Sequence, residues 1–110
     1  MQLKKLIVLV GPTAVGKTSV AVTLARYFGT EIISADSRQI FKELNIGTAK
    51  PSAAELDLVP HHFINSNSIH EPYDAAQYGR DALELINKLF KQHDHLILCG
   101  GSGLYIKAVC

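Results

Sequence analysis

The sequence predicts an α/β fold, in which a parallel β-sheet carries helices on both faces. Residues 3–10 and 96–99 are rich in Val, Ile and Leu and lack polar alternation, which is typical of strands covered on both faces. A helical pattern links the first run to a third, shorter apolar run, and a unit of this kind forms a right-handed crossover. With 110 residues, the chain has room for one domain at most.

The first half of the chain gives one strand, one helix and a second strand. Over residues 17–28 apolar side chains recur at helical spacing, and Gly29 is a plausible stop. A short strand over 31–35 then brings Asp36 to its carboxyl end. The predicted buried face of the helix consists of Val20, Ala21, Leu24, Ala25 and Phe28.

The second half is less regular at first and then becomes clearly helical. Residues 37–60 predict a short helix, a loop over 47–51 and a helical turn near 53–56, and 61–64 predict a short extended piece. The longest helix is predicted from Asp74, its N-cap, to about Gln92, and another begins at Leu104 after the strand at 96–99. The longest helix is expected to bury Tyr78, Leu85, Ile86, Leu89 and Phe90.

Composition and charge exclude several classes of protein. The chain is 47% hydrophobic and 19% charged, which fits neither a disordered nor a fibrous protein. No run of about 18 apolar residues is present, so no membrane segment is expected. Cys99 and Cys110 form no disulfide framework, and we therefore expect a cytoplasmic protein. Residues 1–50 carry seven basic and three acidic side chains, which favours an anionic ligand there.

The most specific local motif is a phosphate-binding loop between the first strand and the first helix. Its glycines let backbone amides converge on an anion at the positive end of a helix dipole. Lys17 supplies a cation to the terminal phosphates, and the Thr18 hydroxyl is a candidate Mg²⁺ ligand. The fold class is therefore refined to a P-loop NTPase-like, kinase-like, three-layer parallel sheet. The loop reads Gly11, Pro12, Thr13, Ala14, Val15, Gly16, Lys17 and Thr18, a complete GxxxxGK[ST] pattern.

A phosphate loop alone does not distinguish phosphate transfer from other uses. Phosphate-transferring enzymes also need an acid at the end of an apolar strand to organise Mg²⁺. The strand at 96–99 ends in Gly100-Gly101, and Asp36 is the only acid at a strand end. This weakens the NTPase interpretation, but a small P-loop kinase and a non-catalytic nucleotide-binding module remain open alternatives.

Four stretches together resemble the tRNA dimethylallyltransferase (tRNA isopentenyltransferase) family. They are GPTAVGKT at 11–18, ISADSRQIFKELNIGTAKPS at 33–52, HHFI at 61–64 and GGSGLYIKA at 100–108. The combination of DSRQI with IGTAKP is more specific than the phosphate loop, because nucleotide binding in general does not require it. The resemblance covers nearly the whole chain.

The resemblance implies a diphosphate cradle and a base for one reaction. Loop 11–18 would hold the pyrophosphate of dimethylallyl diphosphate, with Lys17, Thr13 and Ser102 near it and Mg²⁺ on Thr18. Asp36 would accept the proton of the exocyclic N6 amine of an adenosine 3′-adjacent to the tRNA anticodon. The family pattern usually has Thr where this chain has Ser102. The segments expected to face the tRNA anticodon arm contribute Asp36, Ser37, Gln39, Thr48 and Lys50.

The resemblance also implies that residues 1–110 are the front part of a longer catalytic domain. The rest of that domain and a tRNA-binding insertion would then lie elsewhere, and we expect the 110 residues alone to be poorly active or inactive. The complete enzyme is expected to be a monomer, whereas the front part is expected to expose a sheet edge and to be prone to self-association. A related enzyme class, the adenylate isopentenyltransferases that act on free nucleotides, remains a further alternative.

Overall fold

The structure, a computed structural model, describes residues 3–11, 16–45, 50–101 and 103–110. Four strands and four helices alternate along these residues. The strands are β1 (Lys5–Val10), β2 (Ile32–Ser34), β3 (His61–His62) and β4 (His95–Gly100). The helices are α1 (Lys17–Phe28), α2 (Ala53–Leu58), α3 (Ala75–Leu89) and α4 (Gly103–Val109).

All four strands are parallel and pair in the order β1-β4-β2-β3. Strand β4 therefore lies between β1 and β2, although it is the last strand in sequence. The carboxyl ends of the parallel strands meet along one edge, where Val10 pairs with Gly100 and Ser34 pairs with Cys99. Residues that directly follow β1, β2 and β4 are thus brought together.

Helices cover both faces of the sheet, which confirms the predicted three-layer α/β fold. Alternate side chains of a strand point to opposite faces, so each strand contributes side chains to the hydrophobic core on either face of the sheet. On one face Ile32 and Ile97 pack against the buried side chains of α1. On the other face Ile33, Leu96 and Leu98 pack against α3 and α4.

Strand β1 differs from the prediction because it lies at the edge of this sheet. Its residues are half-buried or exposed, whereas the apolar run predicted burial on both faces. The side chains of Ile7 and Leu9 pack toward α1, and Leu6 packs toward α3. Val8 and Val10, on the same face as Leu6, remain 37% and 62% exposed. An apolar edge of this kind favours association with a further strand or chain.

Helix α1 spans the predicted residues and ends at Gly29, whose φ of 62° is the left-handed conformation that glycine adopts at low cost. Its buried face consists of Ala21, Val22 and Ala25. The prediction was wrong for Val20 and Phe28, which are 51% and 36% exposed, and it did not include Val22, which is 6% exposed.

Helix α3 begins at the predicted N-cap, where the Asp74 carboxylate accepts a hydrogen bond of 2.8 Å from the Gln77 amide. Tyr78, Ile86 and Leu89 are buried as predicted, and Leu85 and Phe90 pack half-buried against the same core. The predicted helix after Asp36 is absent among the described residues, because 37–40 form a turn. Strand β3 stops after two residues, since Phe63 and Asn65 have positive φ angles.

The beginning of β2 is fixed by a carboxylate between two imidazoles. Glu31 Oε1 lies 2.7 Å from His62 Nε2 on β3, and Glu31 Oε2 lies 2.7 Å from His93 Nε2 before β4. Burial by itself would raise the pKa of Glu31. The hydrogen bonds and charges of His62 and His93 outweigh burial and lower that pKa below the ordinary 4.5.

Replacing Glu31 by Gln is expected to lower the free energy of unfolding above pH 4.5. The difference between the two proteins should become smaller as the pH falls below that value. A carboxylate with a depressed folded-state pKa stabilises the fold above its unfolded-state pKa, and that contribution is lost as pH falls through the folded-state value. Urea unfolding of both proteins at pH 6 and pH 3 measures the difference. An equal difference at the two pH values would contradict this account.

Among the described residues, no helix has both the length and the apolar composition needed to cross a bilayer.

Candidate active site

The site is built at the carboxyl edge of the sheet, where the first turn of α1 faces the ends of β2 and β4. Gly16 is the N-cap residue of α1, with a φ of 73°, and it provides no side-chain cap. No acidic side chain lies in the first turn. The first amides of α1, which a cap would otherwise satisfy, are therefore available to an anion.

Asp36 is held rigidly just beyond the end of β2. It is buried, with 7% exposure. Its Oδ1 accepts hydrogen bonds from the backbone amides of Arg38, at 2.8 Å, and Gln39, at 3.1 Å. The carboxylate therefore shapes the turn over 37–40 and is largely shielded from solvent.

The charges of Lys17 and Asp36 both act on the thiol of Cys99 on β4. Burial raises the pKa of Cys99, the positive charge of Lys17 opposes this, and the negative charge of Asp36 adds to it. Two oppositely charged groups from separate chain segments are thus close enough to affect one side chain.

Tyr78 connects helix α3 to the strand that carries Asp36. Its side chain is fully buried, and its hydroxyl donates a 2.7 Å hydrogen bond to the carbonyl of Ser34. The ring stacks on Tyr105 of α4, with centroids 4.4 Å apart, and meets Phe63 edge-on at 5.2 Å. Burial raises the pKa of Tyr78 far above its usual range, so the phenol stays a donor. Sequence analysis had identified Tyr78 only as a core residue.

The backbone of β4 at Gly100 passes close to the backbone of Ala35, the residue before Asp36. A Cβ on Gly100 would lie 2.3 Å from the carbonyl oxygen of Ala35. The glycine that ends β4 is therefore needed for β4 to pass beside the residue that precedes Asp36. Sequence analysis had interpreted Gly100 only as a strand breaker.

Lys50 joins three loop segments through its ammonium group. Nζ donates to the Phe41 carbonyl at 2.8 Å, to Asn45 Oδ1 at 2.9 Å and to Asn65 Oδ1 at 2.6 Å. The Asn65 amide in turn donates to the carbonyl of Gln39. Partial burial lowers the pKa of Lys50. In this structure Lys50 therefore organises the loops beside the Asp36 turn, and its contact with tRNA stays a prediction.

A small recess lies between the first turns of α1 and the β2–β3 part of the sheet. It contains about 220 Å³ of empty space including its open mouth. Two of its lining residues, Ser34 and His61, each have a buried atom, Oγ and Nε2, without a hydrogen-bond partner among the described residues. The lining residues are Thr18, Ala21, Ile32, Ser34, Gln39, Pro51, His61, Ile64 and Cys99.

The predicted site residues fall into two groups. The structure brings Gly11, Gly16, Lys17, Thr18 and Asp36 to one edge of the sheet, places Gln39 in the recess wall and leaves Ser37 exposed beside it. Lys50 lies among the neighbouring loops, as described above. The other predicted residues lie outside the described part of the chain: Pro12, Thr13, Ala14, Val15, Thr48 and Ser102. Within the described part, no cluster of three His, Cys, Asp or Glu side chains suits a metal ion.

Similarity to known proteins points to one family. A family model described as IPP transferase matches residues 39–110. The chain is 56% identical over 106 residues to a tRNA dimethylallyltransferase of Cytophaga hutchinsonii, covering 96% of this chain and 35% of that protein. It is 52% identical over 107 residues to a tRNA dimethylallyltransferase of Flavobacterium johnsoniae. The chain thus spans about a third of the length of these relatives.

Solved structures share the fold over nearly the whole of this chain. A full-length tRNA isopentenylpyrophosphate transferase from Bacillus halodurans superposes with a TM-score of 0.88 at 43% identity, covering 96% of this chain and 35% of that one. A eukaryotic dimethylallyltransferase acting on tRNA superposes with a TM-score of 0.87 at 31% identity, covering 26% of its own chain.

Proposed function

Because the chain belongs to the IPP transferase family, we propose that it supplies the diphosphate cradle and the base for transfer of a dimethylallyl group to tRNA. The acceptor is the N6 amine of the adenosine 3′-adjacent to the anticodon. The observation that carries the proposal is that the uncapped start of α1, with Lys17, and the buried carboxylate of Asp36 lie at the same carboxyl edge of the parallel sheet. An anion-binding group and a proton acceptor are then available at one edge.

The reaction exchanges a carbon–oxygen bond for a carbon–nitrogen bond at the first carbon of the prenyl group. The adenosine N6 nitrogen forms a bond to that carbon, the carbon–oxygen bond to pyrophosphate breaks, and the amine proton passes to the Asp36 carboxylate. An amine conjugated to a purine is a weak nucleophile, so a fixed acceptor lowers the barrier. The amides at the start of α1 and Lys17 stabilise the negative charge that develops on the leaving pyrophosphate.

The residues present suit Mg²⁺ as a cofactor. This cation prefers oxygen ligands and is usually held by one or two protein groups together with substrate phosphates. The Thr18 hydroxyl stands at the first turn of α1 and would hold the ion against the diphosphate. When bound, Mg²⁺ would neutralise charge on the leaving group.

We assign the reaction to the cytoplasm. The support is the proposed substrate, tRNA, together with the absence of a disulfide between Cys99 and Cys110, which is consistent with a reducing compartment.

Calorimetry with the 110-residue chain tests the cradle. We expect dimethylallyl diphosphate to bind in the presence of Mg²⁺, and to bind more tightly than ATP. Replacing Lys17 by Ala should weaken diphosphate binding by at least about 10-fold, since a charge-assisted contact contributes roughly 1.5–3 kcal/mol. Lys42→Ala, which removes an exposed cation outside the site, is the matched control.

A different order of ligand affinities would change the function assigned to this chain. If ATP binds far more tightly than dimethylallyl diphosphate, the chain is a kinase or a nucleotide-binding module. If the complete enzyme prenylates free AMP efficiently, its acceptor is a nucleotide rather than tRNA.

A further inference from the structure

The ammonium group of Lys50 uses its full hydrogen-bonding capacity inside the chain. A lysine ammonium carries three N–H donors and no acceptor. Nζ donates to the carbonyl of Phe41, to Oδ1 of Asn45 and to Oδ1 of Asn65, at distances between 2.6 and 2.9 Å. In this arrangement all three donors are occupied by acceptors of the chain itself, and none is left for a phosphate of tRNA.

The two segments that Lys50 joins are also paired through their backbones. The amides of Asn65 and Asn67 donate to the carbonyls of Gln39 and Ile40, each at 3.0 Å. The side chain of Lys50 thus adds a second link to a pairing that the backbone already makes. Ile40 is fully buried and Gln39 is only 8% exposed, so this pairing is packed against the body of the domain.

The paired segment continues directly from the turn that Asp36 shapes. Asp36 Oδ1 accepts hydrogen bonds from two backbone amides of that turn, and one of them is the amide of Gln39. Lys50 holds the following part of the segment through the Phe41 carbonyl. Gln39, which the family resemblance places on the tRNA side, therefore lies between a carboxylate that fixes one end of the turn and an ammonium group that fixes the other.

We propose that Lys50 is a positioning residue for prenyl transfer, which holds residues 36–42 in the shape that presents Asp36 and Gln39 to the acceptor, and that it does not bind the tRNA backbone. The inference rests on the proposed function, because the segment has this use only if an adenosine of tRNA is the acceptor. A basic side chain close to a nucleic acid would ordinarily be assigned to a phosphate contact. Here such a contact would break the hydrogen bonds that join the two segments, and their loss opposes it.

A chimera in which this chain replaces the matched third of the Bacillus halodurans transferase allows both roles of Lys50 to be measured. Lys50→Met keeps an apolar stem and removes the three donors. We expect kcat for prenyl transfer to fall about 10- to 100-fold, because a small misplacement of reacting groups has an effect of that size. The affinity for dimethylallyl diphosphate should stay within about 2-fold, since the cradle at α1 is untouched.

The salt dependence of tRNA binding separates positioning from phosphate contact. Loss of one phosphate contact reduces the slope of log affinity against log salt concentration by about 0.7–0.9. We expect Lys50→Met to leave this slope unchanged. Lys88→Met removes the same charge from an exposed position on α3, and this control should alter neither the slope nor kcat.

Asn65 provides a test that leaves the charge of Lys50 in place. Asn65 has a φ of 56°, which glycine adopts at low cost, so Asn65→Gly removes the acceptor and keeps the backbone amide. It should lower kcat about 3- to 10-fold, and the double variant with Lys50→Met should be no slower than Lys50→Met alone within about 2-fold, because both remove one interaction. Asn65→Asp retains an acceptor for the ammonium group and should keep the native kcat within about 2-fold.

Several results would overturn the proposal. A native kcat in Lys50→Met would show that the hydrogen bonds of Lys50 do not matter for transfer, and a reduced salt slope would assign Lys50 to a phosphate. Loss of diphosphate binding together with transfer would indicate a general structural role. If Lys50→Met does not fold, equal kcat values for Asn65→Gly and Asn65→Asp would be sufficient to reject the proposal. If the unsubstituted chimera transfers no prenyl group to tRNA, the proposed function itself fails and this inference fails with it.

Discussion

Replacing Asp36 by Asn is expected to reduce prenyl transfer by about 100- to 10,000-fold while leaving binding of dimethylallyl diphosphate unchanged within about 2-fold. Asn preserves the side-chain oxygen that accepts from the Arg38 and Gln39 amides, at 2.8 and 3.1 Å in the native chain. It removes the proton acceptor. The substitution therefore separates the chemical role of Asp36 from its role in shaping the turn.

Turnover is measured in a chimera in which this chain replaces the matched third of the Bacillus halodurans transferase, with the unsubstituted chimera as the reference. Asp36→Ala is the second variant, because it removes both the proton acceptor and the oxygen that binds the turn amides. It should lower stability by roughly 1–2 kcal/mol as well as activity, since the turn loses its acceptor. Normal transfer by Asp36→Asn would exclude Asp36 as the base.

Replacing Gly100 by Ala is expected to destabilise the fold by about 2–4 kcal/mol and to lower the unfolding midpoint by about 10 °C or more. The new Cβ would stand 2.3 Å from the Ala35 oxygen and 2.7 Å from the Ala35 carbon. Both are backbone atoms, so no side-chain rotation relieves the contact. Strands β2 and β4 must then separate next to Asp36.

Gly103→Ala is the control, because it makes the same glycine-to-alanine change at a position where the new Cβ contacts no other atom. A Cβ at Gly103 meets no atom within 4 Å, and Ala has the better helix propensity there. It should leave the midpoint unchanged or raise it slightly. Thermal unfolding followed by circular dichroism measures both variants. A Gly100→Ala protein as stable as the native chain would show that β4 does not pass so close to Ala35.

The features that sequence predicted best are those with local causes. Helix α1 follows from apolar spacing and a terminal Gly29, and α3 follows from the Asp74 cap and a strongly one-sided pattern. Asp36 was selected as a candidate site residue because it is the acidic residue that follows the short predicted strand at 31–35. The phosphate motif and the four matching stretches identified the family without any geometry.

The errors have non-local causes. An apolar strand looks the same whether neighbours cover it or not, so the sequence did not show that β1 lies at an edge, with Val10 62% exposed. Val20 was assigned to the buried face because helical periodicity does not fix the rotation of a helix on a sheet. The short helix expected after Asp36 is replaced by a turn, since its backbone amides bond to the Asp36 carboxylate.

By itself the sequence determined the α/β class, the phosphate loop, the acid at position 36 and the family, because each depends on residue type at short spacing. Tertiary structure decided which distant groups meet. It let the charges of Lys17 and Asp36 act on one thiol, that of Cys99, joined the Tyr78 hydroxyl to the Ser34 carbonyl, and placed Ser34 and His61 in the lining of one recess. These contacts join residues far apart in sequence, and only the order of strands in the sheet brings them together.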